Sequence, residues 1–443
     1  MTRRILPLSS IDRRAVLTGL VGSALAAPHL TSAQTAARAP VPLVLRARPV
    51  RRALRPGAPD ADIWALEPES RGPLAFRRGD TLAMTFRNDL PVPTVLNWHG
   101  LDGAPDTEPL LARAPVPPGG SDTVSLPLSR AGTLMCDARL LGDGGARATG
   151  ALALSVGDDG LTADRDETLL IEDWRPGADG HPTAPGASPN GAPPIYSVNG
   201  QPARDIPTRP GERLRFRFIN GSQRNVIALK IDNSAVRVMA IDGRRAEPFP
   251  ARDGQLVLAA GTRIDAVIDV PASPGSTAQI HISDGRTTLP LSRIVSSGEP
   301  LRTTPLPPPA ALPSDGLPDR IDLRTALRVD LTIDRIAGAN WIAPASFDSV
   351  GAPAFGVKRN RAVVLALTNR AAVPATFHLH GHHFRLLDRL DDGWKPFWLD
   401  TLAIGPGQTH RIAFKAETGG RWLMESMAAD WSAPRLLCHY VVE

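Results

Sequence analysis

The 443-residue chain has little that would build helices. No window carries a long 3.6-residue apolar repeat, and 44 Pro and 39 Gly interrupt the sequence throughout. This scarcity excludes a mostly helical protein. Aromatic residues make up only 5% of the chain, yet the 42% hydrophobic share is too high for a disordered chain and sufficient for several packed cores. The length predicts two to three domains.

Cysteine and net charge are also scarce. The sequence has only Cys136 and Cys438, which we expect to be separate thiols rather than a disulfide. It contains no Cys-x-x-Cys, no phosphate-cradling glycine loop and no Ser-His-Asp order. A formal net charge of +5, partly from the N-terminal arginines, provides no concentrated basic face, so we expect no nucleic-acid partner.

Residues 1–33 resemble a twin-arginine export leader. Arg13 and Arg14 precede an apolar run at residues 20–27, and small residues follow before Gln34. The apolar run is too short to anchor the mature chain, so we expect no membrane span after leader removal and a periplasmic location. A frayed basic terminus is the alternative.

A threefold repeat organises the rest of the sequence. Alternating apolar and polar runs, such as residues 81–86 and 213–218, predict strands. In each copy a turn residue lies nine positions before an asparagine: Gly79 and Asn88, Gly211 and Asn220, Asn360 and Asn369. Three such copies predict three β-sandwich domains, at residues 41–157, 161–296 and 320–443, with a Pro-rich linker at 297–319.

The repeat also aligns equivalent strand positions across the domains. In the middle copy these positions are apolar: Leu229, Ile231, Ile280 and Ile282. In the outer copies they are polar except for one methionine: Asn97, His99, Asp137, Arg139, His378, His380, Glu425 and Met427. We therefore expect the outer domains to bring these faces together at a polar interface, since unpaired buried polar groups cost several kcal/mol.

Several motifs carry a family resemblance. Asn97-Trp98-His99-Gly100, Phe377-His378-Leu379-His380-Gly381-His382-His383-Phe384 and Gly420-Arg421-Trp422-Leu423 resemble signature regions of the three-domain multicopper oxidases. The resemblance covers residues 41–443 and implies an all-β fold of three consecutive cupredoxin-like, Greek-key β-sandwich domains. It also implies oxidation at a mononuclear copper and reduction of dioxygen at a three-copper cluster, with ten His and one Cys as ligands.

Most of those ligand positions are altered. The resemblance leaves His99, His378 and His380 as residual metal ligands. The replaced positions are Asn97, Asp137, Arg139, Ala375, Glu425, Ser426, Met427 and Trp431. The mononuclear site loses its thiolate at Ser426 and an imidazole at Ala375, while Trp431 is expected to fill the space of the second imidazole. We expect oxidase activity to be lost and Arg139 to pair with Asp137 and Glu425 in place of the ions.

The leading hypothesis is an exported multicopper-oxidase-like protein without a copper cofactor. It would bind unknown envelope proteins, in cell division or stress protection, similar to the copper-free, twin-arginine-exported members associated with cell division. The alternative is a laccase-like, copper-dependent oxidoreductase using a remodelled site at His99, His378 and His380. A third hypothesis is a zinc or copper store without turnover. We favour hydrogen bonding of the three histidines to carboxylates, expect at most one of His382 and His383 to join them, and expect Trp98 and Trp422 to pack.

Overall fold

The structure is a computed structural model that describes residues 38–141, 147–157, 159–187, 189, 191–338, 340–347, 351–388 and 393–443. The leader predicted at residues 1–33 lies outside these ranges. In the described residues, regular structure consists of strands and three short 3-10 turns, Pro105–Thr107, Arg252–Gly254 and Pro344–Ser346. None of their helical segments is long and apolar enough to cross a bilayer.

The strands fall into three pairs of sheets. The first pair contains β1 (Val41–Arg52), β2 (Ala61–Pro68), β3 (Ala75–Arg77), β4 (Thr81–Asn88), β5 (Thr94–His99), β6 (Ser121–Pro127), β7 (Gly132–Leu140) and β8 (Ala151–Gly157). The second contains β9 (Arg165–Trp174), β10 (Ile195–Val198), β11 (Gln201–Pro202), β12 (Ile206–Thr208), β13 (Arg213–Asn220), β14 (Ile227–Ile231), β15 (Arg237–Ile241), β16 (Arg244–Pro250), β17 (Gln255–Leu258), β18 (Arg263–Asp269), β19 (Thr277–Ser283) and β20 (Thr288–Ser296). The third contains β21 (Leu327–Ile333), β22 (Phe355–Val357), β23 (Ala362–Asn369), β24 (Ala375–Leu379), β25 (Arg385–Leu386), β26 (Thr401–Ile404), β27 (Thr409–Lys415), β28 (Gly420–Ala428) and β29 (Arg435–Val442).

The three pairs share one topology. In the first sheet of each pair, a parallel pairing joins β1 to β4, β9 to β13 and β21 to β23. In the second sheet of each pair, the edge strands β3, β12 and β22 pair in parallel with β8, β20 and β29. Two antiparallel strands follow in each sheet: β7 and β5 in the first domain, β19 and β14 in the second, and β28 and β24 in the third. The predicted all-β fold of three consecutive sandwiches is confirmed.

The repeated asparagines explain why the sequence pattern recurs. Asn88, Asn220 and Asn369 end β4, β13 and β23, and each is fully buried. The Nδ2 of Asn88 donates to the carbonyls of Val92 and Val116, while its Oδ1 accepts from a backbone N–H two residues later. The other two asparagines make the same three kinds of bond. Each side chain therefore fixes the loop that leaves its strand.

The middle sandwich buries its equivalent face in its own core, as predicted. Leu229 lies opposite Ile282 and Ile231 opposite Ile280 on β14 and β19, and all four are buried. Branched side chains of this kind pack closely between two sheets. The middle domain therefore has no polar site at the position where the outer domains carry theirs.

The proline-rich segment predicted as a linker lies against the second sandwich. Arg213 donates to the carbonyl of Pro307 at 2.8 Å. Leu312 is buried in a small cluster with Met239 and Val267. The segment is therefore packed over part of its length.

Candidate functional site

The site lies where β5 and β7 of the first sandwich face β24 and β28 of the third. The strand register places Asn97 opposite Asp137 in the first sandwich and His378 opposite Glu425 in the third. All four side chains are buried. The polar interface expected from the sequence repeat is therefore present.

The three retained histidines lie together at this interface. The rings of His99 and His378 are stacked, with centroids 4.0 Å apart and planes 17° apart. The ring of His380 lies 4.3 Å from that of His378. The structure thus brings together the imidazoles that the family resemblance indicated as residual ligands.

The ion pairs predicted for Arg139 are also present. Its guanidinium pairs with Asp137 on its own strand, and its Nη2 lies 3.3 Å from Oε2 of Glu425 in the third sandwich. The same nitrogen lies 3.4 Å from Nε2 of His99. Arg139 therefore links the outer domains through charge-assisted contacts.

Sequence reasoning missed two further members of this cluster. Arg435 at the start of β29 lies 3.4 Å from Oε1 of Glu425. Glu108, after the first 3-10 turn, lies 2.8 Å from Nδ1 of His380 and accepts from the backbone N–H of Leu423 at 2.8 Å. Glu108 is separated from Leu423 by 315 residues, so no local pattern marks this contact.

The protonation of the histidines follows from their neighbours. Burial opposes charge on His380, but the carboxylates of Glu108 and Glu425 outweigh it and raise the pKa of His380 to about 10. Burial and the neighbouring His380 charge lower the pKa of His378 to about 4. Burial, His378 and an arginine charge hold the pKa of His99 well below its usual value. At neutral pH the site therefore contains one imidazolium and two neutral imidazoles.

These residues do not fit the four-copper ligand set of the family. The permanently charged Arg139 guanidinium lies against His99, where it would repel a cupric ion. At the mononuclear position the buried hydroxyl of Ser426 has no hydrogen-bond partner among the described residues, and Ala375 offers no donor. A soft thiolate ligand is therefore missing from the place where the family resemblance requires it.

That Trp431 fills the space of an imidazole at the mononuclear position stays a prediction. The indole does not belong to the hydrophobic cluster that contains Ala375. It packs with Leu54, Ile63 and Trp174 in a separate cluster. Its Nε1–H donates to the hydroxyl of Thr183 at 3.3 Å.

Two groups of three potential ligands are nevertheless compact, with ligating atoms within 4.8 Å of one another. They are His99, His378 and Asp400, and His378, His380 and Glu425. Each group contains one carboxylate, and guanidinium groups already engage both carboxylates. Asp400 pairs with Arg263, and Glu425 pairs with Arg139 and Arg435.

A second buried ion-pair network joins all three sandwiches, and sequence reasoning missed it. Arg263 donates to Asp400 through two nitrogens, at 3.0 and 2.7 Å. The backbone N–H of Gly100 donates to Asp400 at 2.7 Å, and Asp242 accepts from the backbone N–H groups of Asp400 and Thr401. Burial and the charge of Asp400 raise the pKa of Asp242 to about 7. The network holds Asp400, the residue before β26, beside His99 and His378.

His382 and His383 do not join the metal-ligand groups found among the described residues. Nδ1 of His382 lies 2.7 Å from the hydroxyl of Tyr440, and its Nε2 accepts from a backbone N–H at 3.3 Å. Nδ1 of His383 lies 2.6 Å from Asp102, and its Nε2–H donates to the backbone carbonyl of Asp242. Both rings therefore use their two nitrogens within the protein.

The remaining sequence predictions near the site concern packing. Cys136 and Cys438 are both buried as free thiols. Trp98 and Trp422 are buried in the cores of the first and third sandwiches. They support the signature strands by packing, as predicted.

Three cupredoxin-like sandwiches with a polar site between the first and the third define the class of this protein. Multicopper oxidase family models match residues 51–155, 165–283 and 321–443. The chain belongs to the multicopper oxidase family.

Individual relatives are distant. The multicopper oxidase MmcO of Mycobacterium tuberculosis is 24% identical over 404 residues, which cover 78% of this chain and 76% of MmcO. Laccase-8 of Oryza sativa subsp. japonica is 28% identical over 300 residues, 60% of this chain and 52% of the laccase. The structure of a multi-copper oxidase from Pseudomonas thermotolerans has a TM-score of 0.76 at 23% identity and covers 91% of this chain and all of that one. At this identity the structural likeness shows the fold alone.

Proposed function

We propose that this protein keeps the multicopper oxidase fold but acts as a binding protein of the cell envelope, without copper-dependent oxidation. The observation that carries the proposal is the position of Arg139. Its guanidinium pairs with Asp137 and Glu425 at positions where the family resemblance places cluster ligands. A permanent cation held by two buried carboxylates stabilises the interface that copper ions would otherwise occupy.

The altered mononuclear position supports the same proposal. Ser426 and Ala375 stand where the resemblance calls for a thiolate and an imidazole. Neither side chain tunes a cupric ion for electron transfer. An electron from a substrate therefore has no entry site of the family's kind.

The envelope location and the binding role rest on the leader and the family resemblance. Twin-arginine export carries folded proteins, so the mature chain would work in the periplasm. Its partners would be envelope proteins, as for the copper-free relatives associated with cell division. Replacement of Arg13 and Arg14 by lysine should retain the chain in the cytoplasmic fraction, and continued appearance in the periplasmic fraction would contradict export by this route.

Metal content and turnover test the loss of oxidase activity. The purified mature protein should be incubated with cupric salt, dialysed, and measured for bound copper, for blue and near-ultraviolet copper absorption, and for oxygen uptake with a phenolic substrate. We expect no stoichiometric copper, no blue band and no oxygen uptake, while a copper-loaded laccase serves as the positive control. Stoichiometric copper together with turnover would overturn the proposal.

A second candidate function is a laccase-like oxidoreductase with one remodelled copper site. It is favoured by the compact groups of His99 and His378 with Asp400, and of His378 and His380 with Glu425. Three such ligands suffice for a metal site with an open position. Bound copper with oxygen consumption would support this function, whereas bound copper or zinc without oxygen consumption would support a metal store.

A further inference from the structure

A cavity of about 810 Å³ opens where segments of all three sandwiches meet. Small-molecule sites have volumes of roughly 300–1,000 Å³, so the cavity is large enough for an organic ligand. Four arginines and one acidic residue line it: Arg139, Arg147, Arg224, Arg435 and Asp179. Much of the remaining lining is apolar and includes Leu140, Pro344 and Pro434.

Three of the four arginines already have carboxylate partners. Arg139 and Arg435 share Glu425, and Arg147 lies 2.7 Å from Asp179. These pairs neutralise most of the charge that lines the cavity. They also restrain the guanidinium groups of these three arginines.

Arg224 is the fourth arginine of the cavity, and its guanidinium is bonded to backbone carbonyls instead of a carboxylate. Its residue is only 5% exposed, and its Nε and Nη1 donate to the backbone carbonyls of Ala433 and Gln223. It forms no ion pair with any carboxylate of the described part of the chain, and its Nη2 donates no hydrogen bond there. Burial and the nearby Arg139 charge lower the pKa of Arg224 to about 10, which is still high enough to keep it charged at neutral pH. The carboxylates of Glu425, Asp173 and Asp137 act on this charge from nearby, but none of them forms an ion pair with the guanidinium. A buried cation whose Nη2 has no partner in the described part of the chain favours an anionic ligand.

We propose that this cavity binds a small organic anion, a carboxylate or phosphate monoester with an apolar body, whose acid group pairs with Arg224. The backbone bonds of Arg224 fix its guanidinium in advance, so an anion would bind with little further ordering. The alanine, leucine and proline side chains of the wall would cover the apolar body. The proposal concerns this cavity only and does not depend on the metal content of the neighbouring interface.

Calorimetric titration of the purified protein with phenyl phosphate tests the proposal. We expect saturable binding at one site, weaker binding of inorganic phosphate, which lacks the apolar body, and no competition from neutral benzyl alcohol. Arg224→Met should weaken phenyl phosphate binding roughly ten- to a hundredfold, the effect of losing a charge-assisted hydrogen bond. Arg224→Lys should retain part of the affinity.

Arg252→Met is the matched control, because it removes the same charge from a side chain that is 98% exposed on the second sandwich. It should leave phenyl phosphate binding unchanged. Absence of saturable binding, or equal weakening by Arg224→Met and Arg252→Met, would overturn the proposal.

A second variant keeps the proposal testable if Arg224→Met does not fold. Ala345→Trp places a large ring on the exposed part of the apolar wall without altering any arginine. It should weaken phenyl phosphate binding more than inorganic phosphate binding, and unchanged binding of both would contradict the assigned cavity. These titrations contain no metal, so their failure would leave the proposed loss of oxidase activity untouched.

Discussion

Arg263 and Asp400 form a two-point ion pair between the second and third sandwiches, although their side chains are only 0% and 3% exposed. Gly100 of the first sandwich donates to the same carboxylate. Three domains therefore meet at one buried charge pair. Such a pair is stabilising only while both partners remain, because a single buried charge is poorly solvated.

We predict that Asp400→Ala lowers the free energy of unfolding by about 3–5 kcal/mol, the usual effect of breaking a buried pair. Urea unfolding followed by circular dichroism measures it. Asp205→Ala is the control, since Asp205 pairs with Arg293 at the surface and its removal should produce little change. Equal stability of the two variants would show that the buried pair does not hold the domains together.

Arg139→Ala should lower the melting temperature by several degrees, because it leaves Asp137 and Glu425 facing each other without their shared cation. Scanning calorimetry checks this expectation. Arg48→Ala is the control, because it removes an arginine that forms an exposed ion pair with Glu67, and it should have little effect on the melting temperature. A melting curve for Arg139→Ala that matches the wild type would contradict the stabilising role of the network.

The pH dependence of stability should report the charge on His380. Its pKa is raised from 6.5 to about 10 in the folded protein, so its contribution is fully present below pH 6.5 and is lost as the pH rises through 10. Between these values the folded protein binds more protons at this site than the unfolded chain. We therefore predict that stability falls from pH 7 to 10 and that His380→Gln falls less steeply than wild type.

Urea unfolding at several pH values in this range makes the comparison. Cys136 and Cys438 also titrate in this range when unfolded, and burial raises the pKa of both thiols in the folded protein, so they contribute the same fall to both profiles. The effect of His380 is therefore the difference between wild type and His380→Gln. His378 should act in the opposite direction, since its pKa is lowered to about 4 and its contribution is lost as the pH falls from 6.5 towards 4. Parallel pH profiles of wild type and His380→Gln above pH 7 would contradict the assignment of the imidazolium.

The fold and part of the site could be predicted because both are encoded in equivalent positions of a repeat. Asn220 and its two counterparts mark strand ends, and counting from them places Asp137 and Arg139 on one face of β7 and Glu425 at the equivalent position of β28. Arg263 and Asp400 pair across the second and third sandwiches, and they could not be predicted in this way because neither lies at a strand position that the repeat aligned. Their pairing depends on how the sandwiches pack, which local periodicity does not describe.

The repeated asparagines allow one substitution to be compared at three equivalent places. Asn88→Ala, Asn220→Ala and Asn369→Ala each remove two hydrogen bonds to backbone carbonyls and one from a backbone N–H. Each lost hydrogen bond costs about 0.5–1.5 kcal/mol, so every variant should be destabilised by about 2–4 kcal/mol. Thermal unfolding of the three variants checks this, and a tolerant site would show that its loop is held by other contacts.

Comparing Gly381→Ala with Gly407→Ala separates the backbone strain of a methyl group at positive φ from the cost of its overlap with a neighbouring side chain. Gly381 and Gly407 have φ of 74° and 67°, so alanine at either position adopts a strained backbone worth about 1–2 kcal/mol. A Cβ at Gly407 would meet nothing within 4 Å, whereas one at Gly381 would lie 2.2 Å from the ring of Trp422. Displacing that buried ring adds an overpacking cost of about 1–3 kcal/mol. Gly381→Ala should therefore lower the free energy of unfolding, measured in urea, by clearly more than Gly407→Ala, and equal losses would contradict the close packing of Trp422 against the backbone that follows His380.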